Sequence, residues 1–251
     1  MSAIAIGCIA FACMFGGALL GIFLRAALPE HHLRTESKDV VKQGMGLIAT
    51  MTALVLGLLI ATAKDSYDTQ RNGLTQMSVN IFFLDRTLAH YGPETKETRD
   101  LIRRSVVGSL DRIWPEAGSR PAQLAPMAAE GEALYDKIQA LSPQNDAQRS
   151  LQAKALSISM DIGQARWLMF QRTSSSIPVP FLVVLVFWLI SIFVSFSLFA
   201  SPNATVIAVL LLCALSVAGA IFLLLELDTP FDGLIQISSA PLRNALAHLG
   251  Q

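Results

Sequence analysis

Four stretches of this 251-residue sequence lack ionisable side chains altogether, and that absence sets the broad class. Residues 2–24, 44–63, 179–200 and 204–225 contain no Asp, Glu, Lys, Arg or His. A helix on the surface of a water-soluble core carries a polar face. These runs carry none. Each is close to the ~20 residues that a helix needs to cross ~30 Å of hydrocarbon. No carboxylate or histidine lies at membrane depth, which argues against a proton-coupled pump. No Gly/Pro interruption breaks a run in the way many secondary transporters require. Net charge is lacking as well, with 19 Lys+Arg against 19 Asp+Glu. There is thus no basic excess to suit nucleic acid and no acidic tail to collect cations.

Cysteine is scarce. Cys8, Cys13 and Cys213 all sit inside apolar runs, where they act as small hydrophobes and build no disulfide framework. No nucleophile elbow, Walker loop, Rossmann glycine pattern or HExxH occurs, so enzyme chemistry is not expected. His31 and His32 are adjacent and point different ways on any regular element, and His90 and His248 are isolated. No metal site and no cofactor is expected.

What is present is 53% hydrophobic and 15% charged, with a mean hydropathy of +0.50. The fold class expected is all-α: an integral membrane protein with four transmembrane helices and a helical extramembrane domain between spans two and three. The first run lacks a positively charged leader and exceeds the usual signal-peptide core of ~7–15 residues, so it reads as a retained span. The sequence divides into a transmembrane hairpin at 1–63, a helical domain at 64–176, a second hairpin at 177–225 and an interfacial tail at 226–251. An even number of spans puts both termini and the middle domain on one side. Lys and Arg near the span ends are almost evenly shared between the two faces, so the positive-inside rule does not name that side.

The middle is helical by its spacing. Leu74, Met77, Ile81, Leu84 and Leu88 recur every three or four residues and run on from span two to a stop at Gly92–Pro93. A second helix starts at Glu94 and stops at Trp114–Pro115. A loop follows over Gly118–Pro126, then a third helix over about 127–141. Ser142–Pro143 resembles an N-cap opening a fourth helix, which leads towards span three. Ser174–Ser176 is a serine run, and Ser201–Pro202–Asn203 is a short turn joining spans three and four.

Span two carries the sharpest pattern. At ~100° per residue, Gly46, Thr50, Ala53, Gly57 and Ala61 fall within an arc of roughly 80°. Lys64, Asp68 and Arg71 continue the same stripe. Small residues let something approach closely: a neighbouring helix, or water and ions in a ring of identical subunits. Gly17 and Gly21 in span one, and Ser191 and Ser195 in span three, read as packing pairs. After span four come Glu226, Asp228, Pro230 and Phe231, then Asp232 and Gly233. They read as a turn at the interface with its acids facing water, followed by a short amphipathic helix over 241–249.

Two segments carry a resemblance. Gly44-Met-Gly-Leu-Ile-Ala-Thr-Met-Thr-Ala-Leu-Val-Leu-Gly-Leu-Leu-Ile-Ala-Thr-Ala-Lys64, closing with Asp65-Ser66-Tyr67-Asp68, resembles the signature of a bacterial membrane family described as bestrophin-like. Leu-Glu226-Leu-Asp228-Thr-Pro230-Phe231-Asp-Gly233 is similar to a second signature of that family. Bestrophins are pentameric, mostly anion-conducting channels whose second span lines the neck. The resemblance implies that Thr50, Ala53, Gly57 and Ala61 line a neck, and that the termini and middle domain are cytoplasmic. Here Asp232 separates Phe231 from Gly233, and no acidic calcium clasp is recognisable.

The expected function is therefore a homo-oligomeric, pentameric ion channel of the bacterial inner membrane. It would be pore-lined by Gly46, Thr50, Ala53, Gly57 and Ala61 and would carry mouth charges at Lys64, Asp68 and Arg71. Its partners would be the lipid bilayer, further copies of itself and permeant inorganic ions, leaning to anions, with no nucleic acid. The alternative is a non-conducting, membrane-anchored sensor or scaffold with its helical domain outside the cell.

Overall fold

A computed structural model describes residues 2–29, 35–115, 129–171, 177, 179–200 and 203–250. His31–His32, the Gly118–Pro126 loop, the Ser174–Ser176 run and Ser201–Pro202 lie outside the described residues. The described residues form helices and no strand. In chain order these are α1 (Ala3–Ala27), α2 (Thr35–Tyr91), α3 (Lys96–Ile113), α4 (Ala129–Gln139), α5 (Asp146–Gln171), α6 (Val179–Phe199), α7 (Ala204–Leu227) and α8 (Ala240–His248). Four of them, α1, α2, α6 and α7, contain stretches long and apolar enough to cross a membrane. The protein is a membrane protein.

The chain divides into two compact units. The first comprises Met1–Asp65 and Ser175–Asp228. In it α1 packs on α6 and α7. Ala10, Met14 and Ala18 of α1 meet Leu185, Leu189 and Phe193 of α6 and Leu210, Ala214 and Ile221 of α7. The Gly17/Gly21 pair is a packing contact, as its spacing suggested. A Cβ on Gly17 would lie 3.1 Å from Ile190 Cγ2. A Cβ on Gly21 would lie 2.8 Å from Ser197 Cβ and would strike the Val194 carbonyl. Only glycine lets the two backbones approach that closely. The helix ends are capped locally. Ser2 accepts from Ala5 N–H at 3.3 Å, Asn203 accepts from Val206 N–H at 2.9 Å, and Arg25 donates to the Ala200 carbonyl.

The second unit comprises Ser66–Ser174 and Thr229–Gln251. The seam read from the sequence is its spine: Leu74, Met77, Ile81, Leu84 and Leu88 are all buried. They pack with Ile102, Val106, Leu110 and Ile113 of α3, Ile138 of α4, and Ala155, Ile158 and Met169 of α5. The tail packs here too, through Phe231, Ile237, Leu242 and Leu249, so α8 serves a core. The stop at Gly92 is real: Gly92 has φ 147°, and a 3₁₀ turn over Pro93–Thr95 precedes α3. Buried Thr95 fastens that corner by donating to the Leu88 carbonyl at 2.6 Å. One boundary differs from the sequence reading. α5 begins at Asp146, and Asn145, not Ser142, accepts from the first turn, at 2.8 Å from Gln148 N–H. Asn is at least as good a cap as Ser, and it sits directly before the helix.

Candidate functional site

The small-residue stripe on α2 is open within the chain. Gly46, Thr50, Ala53, Gly57 and Ala61 are all exposed. A Cβ on Gly46 or on Gly57 would meet nothing within 4 Å. The Thr50 hydroxyl turns back to the Leu47 carbonyl at 2.8 Å, which keeps the face small and apolar. Leu54 and Leu58, on the adjoining face, are 75% and 67% exposed. The helix meets its own unit on another side. Thr52 and Ala63 are buried, and Val55 and Leu56 pack against neighbouring apolar residues. The stripe is therefore not the seam by which α2 joins its own chain, in contrast with Gly17 and Gly21.

The three charged residues of the stripe follow on the same helix. Lys64 and Arg71 are exposed and Asp68 is half-buried. Lys64 belongs to the first unit, and Asp68 and Arg71 to the second.

The segment after the fourth apolar run differs from its reading. Glu226 does not face water; it is 3% exposed. The reason is that α7 continues through Leu227, so Glu226 is still on a packed helix turn. Asp228 is half-buried and caps that helix, its N–H bonding the Leu224 carbonyl at 3.3 Å. Pro230 and Phe231 are buried in the second unit. The Phe231 ring meets Trp114 edge-on, centroids 6.1 Å apart. Trp114 Nε1 donates to the Ile237 carbonyl at 2.9 Å, and Ile237 N–H donates to the Pro230 carbonyl at 2.8 Å. These bonds tie the tail to the end of α3, so Pro230 and Phe231 act as structural anchors.

The sequence reading missed one charged pair. Asp85, fully buried on α2, accepts two bonds from Arg99 of α3, at 2.7 and 2.9 Å. It also accepts from Gly250 N–H at 3.2 Å. The hydrogen bonds that Arg99 donates to Asp85 hold its guanidinium above its ordinary pKa. A signal was available: Asp85 stands among Ile81, Leu84 and Leu88, where an acid needs a partner. No cluster of His, Cys, Asp and Glu fit to hold a metal occurs among the described residues.

Four apolar helices, a small-faced second span and a polar helical unit closed by a Pro-Phe anchor narrow the comparison. A family model for the bestrophin-like domain matches residues 12–242. The chain belongs to the bestrophin-like family. The resemblance of its two signature segments to that family is thus met across nearly the whole sequence. The fold is similar to the crystal structure of a bacterial bestrophin homolog from Klebsiella pneumoniae carrying a point mutation. The TM-score is 0.65 at 16% identity, over 97% of this chain and 98% of that chain. The likeness is one of fold. No curated protein matches the sequence.

Proposed function

We propose that this bestrophin-like protein is a homo-oligomeric ion channel of the bacterial inner membrane, most simply a pentamer, with α2 lining the pore. The observation that carries this reading is how bare α2 stands. Only 6% of its apolar stretch is buried within the chain, against 22–33% for the other three helices that can span. An apolar helix with an open glycine-and-alanine face needs close neighbours, and copies of itself around an axis supply them. The face formed by Gly46, Thr50, Ala53, Gly57 and Ala61 then makes a narrow apolar neck. Such a neck gates by wetting and dewetting. Lys64, Asp68 and Arg71 form charged rings at one mouth, and the helical domain (residues 64–176) is cytoplasmic. Anions are the favoured ions on the family resemblance. The chain acts as a conduit and not as an enzyme.

The test is electrical. Purified oligomer in planar bilayers should give unitary currents, with a reversal potential under a KCl gradient that reports anion preference. Gly57→Trp adds a ring at a position with free space around it, so the chain still folds. The neck closes and the currents vanish. Silent bilayers from a well-folded wild-type oligomer would sink the reading.

A further inference from the structure

A cleft runs between α2, α6 and α7 in the first unit, and its two halves differ in chemistry. One half, about 430 Å³, is lined by Thr52 and Leu56 of α2, Phe193 of α6, and Leu210 and Cys213 of α7. It is apolar throughout, because the Thr52 hydroxyl is spent on the Ile48 carbonyl at 2.7 Å. The other half, also about 430 Å³, opens beside Lys38 and Lys42 of α2 and Ser195 and Phe199 of α6. Ala49 and Phe196 line both halves, which makes them one continuous cleft.

The second half is basic. Lys38 is half-buried and Lys42 exposed, and neither has a hydrogen-bonding or ion-pairing partner among the described residues. Ser195 is 7% exposed and its hydroxyl likewise has no partner among them. Arg25 adds a third cation, through its bond to the carbonyl of Ala200, which lines the same end. Asp39 is next in sequence to Lys38, but it projects ~100° away around the helix.

Dimensions identify the occupant. From Lys42 to Ala53 is about 16 Å of helix axis at ~1.5 Å per residue. One leaflet supplies roughly half of a ~30 Å hydrocarbon core. A ligand that fits has an anionic head at the lysines, an acceptor or donor for Ser195, and an apolar chain one leaflet deep. A cationic pair at the end of a spanning helix attracts an acidic headgroup by charge, whichever leaflet supplies it. We propose that this cleft binds one anionic phospholipid, its phosphate between Lys38 and Lys42 and one acyl chain along Ala49, Phe196 and Leu210. The lipid then wedges α2 against α6 and α7. Gly46 and Ala53 edge this cleft, and Thr50, Gly57 and Ala61 lie beyond them around the helix and stay uncovered. The proposal does not depend on conduction.

Native mass spectrometry of the full-length protein, stripped of lipid in detergent and titrated with phosphatidylglycerol or phosphatidylcholine, tests it. The wild type should retain phosphatidylglycerol on the order of tenfold better. The double variant Lys38→Gln/Lys42→Gln should bring the two lipids to near parity while still binding both. Ala49→Phe, which fills the waist of the cleft, should weaken both. Leu54→Phe, on an open face, should change neither. Equal retention of the two lipids by wild type would overturn the proposal. So would full phosphatidylglycerol retention by Ala49→Phe, or a map of the oligomer with a helix of a second copy seated in the cleft.

Discussion

In the first unit, helices meet through Gly17 and Gly21, with backbone almost against backbone. In the second, they meet through Leu74, Leu84, Ile102 and Ile138, large side chains with at most 2% of their surface left to water. The first has long stretches with no charge at all; the second buries Asp85 against Arg99. The difference follows from the solvent. Water drives large apolar side chains together at ~1.5–3 kcal/mol for each Leu-sized group buried. Lipid tails are as apolar as leucine, so close packing and small residues hold spanning helices together instead. A charge is tolerable mid-helix in the second unit because hydrogen-bonding partners can be built around it, whereas the buried acid of the first unit, Glu226, stands past the end of its apolar run. The same amino-acid type therefore carries different weight in the two units, and this can be tested.

The largest effect should come from Asp85→Ala. It takes the bidentate carboxylate from the mostly buried Arg99, which costs about 3 kcal/mol, near the lower end of the range for breaking a buried pair, because the Arg99 side chain keeps 20% exposure. Denaturant unfolding in detergent measures it. Replacing both partners together, Asp85→Leu with Arg99→Met, should recover most of the loss. If Asp85→Ala unfolds like wild type, the second unit does not rely on the pair.

Next in size, the same substitution at two glycines should have opposite signs. Gly21→Ala forces α1 off the α6 backbone and should cost ~1–3 kcal/mol. Gly57→Ala meets open space and should be neutral or stabilising by up to about 1 kcal/mol, because alanine favours helix. Equal effects at both sites would erase the distinction between packed and open small-residue faces.

The smallest effect concerns Glu97, whose pairing with Lys137 at 2.7 Å lowers its pKa below the ordinary 4.5. A lowered folded-state pKa adds stability that is complete above the unfolded value and fades as pH falls through the folded one. Lys137→Met should therefore lower the melting temperature slightly at pH 7, with the difference from wild type vanishing in acid below 4.5. Both groups are exposed, so salt should shrink the difference too.

Much of the fold was legible from residue spacing. The runs without charge locate the four long apolar helices, and Leu74 to Leu88 mark the spine of the second unit before any partner is known. Both follow from properties that travel with each residue: transfer free energy and a helical period of ~3.6. The candidate site was legible only as a pattern. Gly17/Gly21 and Gly46/Gly57 look alike in sequence, yet one pair is jammed against α6 and the other faces open space.

The sequence by itself determined how many helices can span, where the amphipathic ones lie and which family the chain resembles. The tertiary structure decided which small-residue face is free. It also decided that Glu226 is buried, that Phe231 packs on Trp114 and that Asp85 answers Arg99. The physical reason is distance along the chain. Ser197 lies far from Gly21, Trp114 far from Phe231, and no local propensity records which remote residue will arrive. In the apolar helices the bilayer also withdraws the hydrophobic signal that would otherwise mark the inward face.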